Sequence, residues 1–169
     1  AIFRTTLSEG SNFIQDRFLL NNDGAEAVLA QAYLMDSLIK AALETVDTKL
    51  YRAPNPTRGE QLCIIAVGGY GRGELAPFSD IDLLFLLPYK QTPRVEQVVE
   101  TILYLLWDMK LKVGHSTRSI DECMRQAKAD MTVRTAILES RYICGEISLM
   151  EQMIARFREE IIKGSALEF

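Results

Sequence analysis

Residues 62–87 read LCIIAVGGYGRGELAPFSDIDLLFLL, and this stretch decides the fold. It contains two runs, 62–67 and 81–87, that are apolar throughout except for Asp82, and their length and lack of alternation are typical of strands covered on both faces of a sheet. The first run ends in Gly68 and Gly69, a pair that lets the backbone turn sharply and lets its N–H groups approach phosphate oxygens. The pattern predicts two central strands joined by a phosphate-binding turn.

An acidic pair, Asp80 and Asp82, opens the second run. Because side chains alternate along a strand, the two carboxylates point to the same side. Two carboxylates beside a glycine turn suit a Mg²⁺ ion that carries a nucleoside triphosphate. A Walker A loop does not fit, since Gly73 is followed by Glu74, and no frame supplies the glycines of a dinucleotide fingerprint. Asp-x-Asp alone is a weak signal, but together with the strands and the glycine pair it predicts nucleotidyl transfer.

The rest of the chain is predicted to be mostly helical. Apolar residues at helical spacing, or capping residues, predict helices over 12–20, 25–50, 94–110, 121–129, 132–144 and 148–163, and a third strand over 111–118. The predicted fold class is α/β (α+β), a small mixed sheet flanked by helices with a helical C-terminal extension. We divide the chain into an N-terminal segment, a core and a helical extension, at 1–24, 25–125 and 126–169.

Composition limits the possible partners and compartments. The chain has 169 residues, 48% of them hydrophobic, and a net charge of −4, which is ordinary for one globular domain and argues against nucleic-acid binding. No apolar run reaches membrane length, so no membrane contact is expected. Cys63, Cys123 and Cys144 are far apart and read as buried reduced thiols, which fits a cytoplasmic protein.

Several blocks of sequence resemble one family. Residues 68–75, 77–84, 113–118, 130–133 and 138–141 are similar, in order, to the bacterial PII uridylyltransferase/uridylyl-removing enzymes. These enzymes belong to the polymerase-beta-like nucleotidyltransferase superfamily, and its fold is expected here. The resemblance implies transfer of UMP from UTP to a tyrosine of the PII nitrogen-signalling protein, with Mg²⁺ as cofactor and pyrophosphate as product.

The resemblance also implies roles for single residues. Asp80 and Asp82 would be catalytic and would bind the metal. The residues expected to contact the nucleotide are Gly68, Gly69, Arg72 and Ser79. The family's hydrolase and glutamine-sensing domains need residues that this sequence lacks, since its one histidine is His115. We therefore expect a piece of a longer multidomain protein, with glutamine sensed elsewhere.

Other interpretations stay open at this stage. No third carboxylate stands on the predicted third strand, where Gly114, His115 and Ser116 lie, so a nucleotide-binding regulatory module without catalysis is one alternative and a related protein adenylyltransferase is another. His115 is either a general base or, more in keeping with metal-based transfer, a packing residue. Tyr70 either stacks on a base or packs beneath the loop. Glu139 and Arg141 are expected to pair with each other.

Overall fold

A four-stranded sheet forms the centre of the structure, a computed structural model that describes residues 2–163. Its strands are β1 (Cys63–Ala66), β2 (Ile81–Leu87), β3 (Val113–Ser119) and β4 (Arg141–Gly145), in the order β3-β2-β1-β4 across the sheet. β1 pairs antiparallel with β2 and with β4, whereas β2 and β3 are parallel. The sheet is therefore mixed, as predicted.

Helices surround this sheet. They are α1 (Ile2–Asn21), α2 (Gly24–Thr45), α3 (Gly68–Gly71), α4 (Pro93–Asp108), α5 (Ile120–Ala129), α6 (Met131–Leu138) and α7 (Ile147–Phe157). π-helical turns continue α2 over Val46–Leu50 and α7 over Arg158–Ile162, and Arg58–Glu60 forms a 3₁₀ turn. Ser119 and Glu122 form the predicted capping box at the start of α5. The fold class is confirmed, and α1 is longer than the predicted 12–20.

The two central strands are buried on both faces, as their continuous apolar sequence predicts. Along β2, Ile81, Leu83 and Phe85 belong to a core shared with α2 and α4. Leu84 and Leu86 belong to a second core shared with α5 and α7. Asp82 lies on the same face of β2 as Leu84 and Leu86, because side chains alternate along a strand, so its carboxylate is on the side of the second core.

The predicted helix over 132–144 is wrong. The helix ends at Leu138, and β4 (Arg141–Gly145) pairs with β1, so Cys144 lies in a strand. The β4 sequence, RYICG, is neither a continuous apolar run nor a strict alternation, and the strand is fixed by the unpaired backbone groups at the edge of β1. Gly145 permits the close approach, because a Cβ there would lie 2.2 Å from the carbonyl oxygen of Leu62.

The division of the chain into three segments stays a prediction. The segment 126–169 is not purely helical, because it supplies β4, a strand of the central sheet. Residue 1 and residues 164–169 lie outside the described residues. Within residues 2–163, every helix is too short or too polar to cross a membrane.

The three cysteines are buried free thiols, as predicted, and this has a testable consequence. Burial raises the pKa of Cys63 and Cys144 to about 12 and that of Cys123 to about 11. In the unfolded chain these thiols ionise near pH 8.5, at about their ordinary pKa. The folded state therefore holds more protons above that pH, and the free energy of unfolding should fall as pH rises from about 8.5 to 11.

We expect each buried thiol to contribute a slope of up to about 1.4 kcal/mol per pH unit over that range. Urea unfolding at a series of pH values measures the slope, and Cys123→Ala should reduce it by one thiol's share. The native protein should react with a thiol reagent at pH 8 only as fast as it unfolds. Immediate labelling of the folded chain would contradict the prediction.

Candidate active site

The predicted glycine turn and the acidic pair meet at one end of the two central strands. The N–H of Val67, just after β1, donates to the carbonyl oxygen of Asp82 at 3.0 Å, so the end of β1 is tied to the start of β2. The chain enters α3 at Gly68, where the first N–H groups have no partner within the helix. Asp80 lies one residue before β2 and is exposed, whereas Asp82 is half-buried.

Two glycines make the space that the Asp82 carboxylate occupies. A Cβ on Gly68 would lie 3.2 Å from Oδ2 of Asp82, and a Cβ on Gly114 would lie 2.3 Å from Oδ1. Gly114 is the partner of Asp82 in the parallel register between β2 and β3. Gly68 also has a φ of 62°, a conformation that side chains disfavour. The carboxylate therefore sits between two backbones, where a side chain on Gly114 would overlap with it and one on Gly68 would crowd it.

Electrostatics at this position favour a cation. Burial, and then the negative charge of Asp80, raise the pKa of Asp82. Two carboxylates on one side of a strand are hard oxygen ligands of the kind that divalent cations prefer, so the donor set fits such an ion. Within residues 2–163 no third acidic, histidine or cysteine side chain joins them. On β3 the positions that share the Asp82 face are Gly114, Ser116 and Arg118, in agreement with the missing third carboxylate.

Two cavities open on either side of Asp82. One, of about 450 Å³, is lined by Gly69, Arg72, Ser79 and both aspartates. The other, of about 520 Å³, lies between β3 and α6, and Gly68, Ser116, Arg118 and Thr132 are among its lining residues. Five of the six predicted site residues therefore line the first cavity, Gly68 lines the second, and Asp82 lines both. Their roles in binding or catalysis remain predictions.

Arg72 lines the cavity of about 450 Å³ and forms ion pairs with two carboxylates. Its Nη1 donates to Oε1 of Glu139 at 2.8 Å, and its Nε lies 3.6 Å from Glu74. About half of the Arg72 side chain is exposed, so its charge is open to a ligand in that cavity. The predicted pair of Glu139 with Arg141 is wrong, because Glu139 binds Arg72 and Arg141 binds Asp36.

His115 is exposed and touches Trp107 in this structure. Alternation on β3 directs its side chain to the opposite face from Asp82, and its ring lies edge-on to Trp107 of α4, with centroids 5.9 Å apart. The alternation favours a structural role, but His115 is among the residues that line the cavity of about 520 Å³ beside Asp82, so its role stays a prediction.

One polar cluster near the site escaped prediction from sequence. Tyr70 is 1% exposed, and its hydroxyl donates to Oδ1 of Asp36 at 2.5 Å. Its ring therefore packs beneath the turn and is not exposed for stacking on the base of a nucleotide. Arg141 donates to the same carboxylate and to the carbonyl oxygen of Tyr70. In the sequence, the only sign of this cluster is Asp36, the single acidic residue in the mainly apolar stretch 34–39 of α2.

Comparison with known proteins agrees with this geometry. The nucleotidyltransferase domain family matches residues 57–143. The chain is similar to the bifunctional uridylyltransferase/uridylyl-removing enzyme of Azospirillum brasilense, with 53% identity over 169 residues, all of this chain and 18% of that protein. The enzymes of the same name from Rhodospirillum rubrum and Rhodopseudomonas palustris are 49% and 46% identical over 100% and 99% of the chain. The resemblance predicted from the motifs is confirmed, and the chain spans about a fifth of the length of these relatives.

Gly114→Ala tests the packing around the acidic pair. The added methyl group would displace the Asp82 carboxylate, the end of a side chain that borders a cavity on either side, so we expect a loss of about 0.5–1 kcal/mol in the free energy of unfolding, together with weaker binding of Mg²⁺–UTP. Gly24→Ala is the matched control, since a Cβ there meets nothing within 4 Å, and it should change stability by less than about 0.5 kcal/mol. Urea unfolding and calorimetric titration measure both effects; equal behaviour of the two variants would contradict the packing argument.

Proposed function

The chain belongs to the nucleotidyltransferase domain family, and from that premise we propose that it transfers UMP from UTP to a tyrosine hydroxyl of a PII signalling protein. The observation that carries the proposal is the pair Asp80 and Asp82 beside the glycine turn at Gly68 and Gly69, in a chain about half identical to uridylyltransferases. In this proposal the protein acts in the cytoplasm, in the regulation of nitrogen metabolism, and needs neither a membrane nor a nucleic acid.

The proposed reaction is a direct displacement at phosphorus. The tyrosine oxygen attacks the α-phosphorus of UTP, a new oxygen–phosphorus bond forms, and the bond to the β-phosphate oxygen breaks. Pyrophosphate leaves with the electron pair of the broken bond, and the hydroxyl proton is released to solution. Such a step asks the protein mainly to hold the reactants in line and to stabilise the charge on the phosphate oxygens.

Each site residue has a part in this proposal. The N–H groups of Gly68 and Gly69 bind triphosphate oxygens, because the missing side chains let the phosphates come close. Arg72 and Ser79, which line the same cavity as Asp80, contribute a positive charge and a hydroxyl donor. Asp80 and Asp82 hold Mg²⁺, which when bound neutralises triphosphate charge and acts as a Lewis acid.

A nucleotide-binding module without catalysis is the second candidate. The observation in its favour is the two-acid site, since within residues 2–163 no third carboxylate joins Asp80 and Asp82. Label transfer from α-labelled UTP to purified PII protein, with Mg²⁺, separates the two. Labelled PII and released pyrophosphate support the transferase, whereas binding of Mg²⁺–UTP without transfer favours the module. Labelling from ATP in place of UTP would favour an adenylyltransferase.

Asp80→Asn and Asp82→Asn are each expected to lower the transfer rate by at least about 10²-fold, because each removes a charged oxygen ligand from the metal. Folding should survive. For Asp82 the free energy of unfolding at neutral pH should stay equal or rise, since the substitution removes a buried negative charge and its repulsion from Asp80. The control is Asp16→Asn on the exposed surface of α1, which should keep full activity. Full activity of Asp82→Asn would contradict the proposed metal role.

His115→Gln should keep the transfer rate within about threefold, because the ring of His115 touches Trp107 and alternation directs it to the opposite face from Asp82. A general base contributes about 10²–10⁴-fold to such a reaction. The rate of label transfer from UTP, measured from pH 6 to 9, therefore distinguishes the two roles. A loss of about a hundredfold in the transfer rate, with a changed pH profile, would show that His115 acts as a general base.

A further inference from the structure

A partly buried polar cluster, formed by Asp36, Tyr70 and Arg141, lies directly beneath the glycine turn. These residues come from α2, α3 and β4, which are far apart in sequence. Both Nη atoms of Arg141 donate to the two carboxylate oxygens of Asp36, and its Nη2 also donates to the carbonyl oxygen of Tyr70 at 3.1 Å. The guanidinium lies over the ring of Tyr70, 5.3 Å from its centroid. One residue of the turn is thus held at its hydroxyl, its ring and its backbone.

The segment just before β4 holds the same turn from a second side. A Cβ on Gly71 would lie 2.1 Å from the carbonyl oxygen of Glu139, so the backbones of the turn and of this segment are in direct contact. The side chain of Glu139 accepts from Nη1 of Arg72 at 2.8 Å. Residues 139–141 therefore clamp the turn of residues 68–72 against α2.

Stability alone explains this cluster poorly. The side chains of Asp36 and Arg141 are 13% and 31% exposed, and such an ion pair gains little net stability because both charges lose much of their contact with water. Nε of Arg141 is buried without a hydrogen-bond partner among the described residues, which adds a cost. What such a pair does provide is a single geometry, since the planar fork of an arginine binds a carboxylate in a fixed orientation.

We propose that Asp36, Tyr70 and Arg141 are positioning residues that hold the glycine turn in the geometry that binds the triphosphate. The inference rests on the proposed function for the role of Gly68 and Gly69. Neither Asp36 nor Arg141 lines the cavities beside Asp82, so they act through the backbone of the turn. Loosening the turn weakens interactions with the triphosphate oxygens and leaves the metal-binding pair intact.

The decisive variant removes the whole cluster without leaving a buried charge: Asp36→Leu, Tyr70→Phe and Arg141→Met combined, in the 169-residue chain. We expect a folded protein whose affinity for Mg²⁺–tripolyphosphate falls about tenfold or more, and whose KM for UTP rises more than its kcat falls. Tripolyphosphate is the probe because it reports on the turn without a base or an acceptor.

A second ion pair supplies the matched control. Arg94 pairs with Asp47 and donates from Nε to the carbonyl oxygen of Tyr51 at 2.7 Å, an arrangement like that of Arg141 but outside the cavities beside Asp82. Asp47→Leu with Arg94→Met should leave the affinity for tripolyphosphate unchanged. Equal losses in the two variants would overturn the proposal, as would an unchanged affinity in the folded cluster variant.

Single substitutions keep the proposal falsifiable if the combined variant does not fold. Tyr70→Phe removes one oxygen, and Arg141→Lys keeps the charge but loses the fork, so each should weaken tripolyphosphate binding by an intermediate amount. Wild-type affinity in both would overturn the positioning role. A wild type that binds tripolyphosphate but transfers no UMP would refute the proposed function and leave the positioning role standing, whereas a wild type that binds no tripolyphosphate would refute both.

Discussion

The structure depends on two neighbouring strands that are apolar on both faces. β1 and β2 pair antiparallel, and each must be covered on both sides, which places α2 and α4 on one face and α5 and α7 on the other. The end of β1 and the start of β2 therefore meet at the same edge of the sheet. A glycine turn at the first and an acidic pair at the second are brought together by strand pairing alone.

Asp82 shows how this edge is specialised for function at a cost in stability. Its carboxylate is half-buried between Gly68 and Gly114 and close to Asp80, so its pKa is raised. A raised carboxyl pKa means that ionisation of Asp82 opposes folding, so the stability that the protonated form supplies at low pH is lost as pH rises through the folded-state pKa. A bound cation would reverse the sign of this interaction. Unfavourable charge in an unliganded site is a common property of metal-binding and catalytic sites.

Strand β4 and the residues just before it contact the glycine turn from two sides. The first residue of β4, Arg141, binds Asp36 of α2 and the backbone of Tyr70, and the residue two positions earlier, Glu139, binds Arg72. Any movement of β4 relative to β1 would therefore be transmitted to the glycine turn. The edge strand thus has a larger effect on the site than its five residues and its position in sequence suggest.

The sequence by itself determined the central strands, the glycine turn, the acidic pair and most of the helices, because these depend on local periodicity and on residue types with few alternative uses. Alternation was enough to place Asp80 and Asp82 on one side, and residue counting was enough to find that β3 carries no third acid. Only the tertiary structure decided β4, because its sequence carries neither a continuous apolar run nor an alternation, and the strand is defined by the partner that completes its hydrogen bonds. Likewise, only the tertiary structure decided the partners of Arg141 and Glu139, since ion pairs between distant segments depend on how helices and strands pack and leave no periodic trace in the sequence.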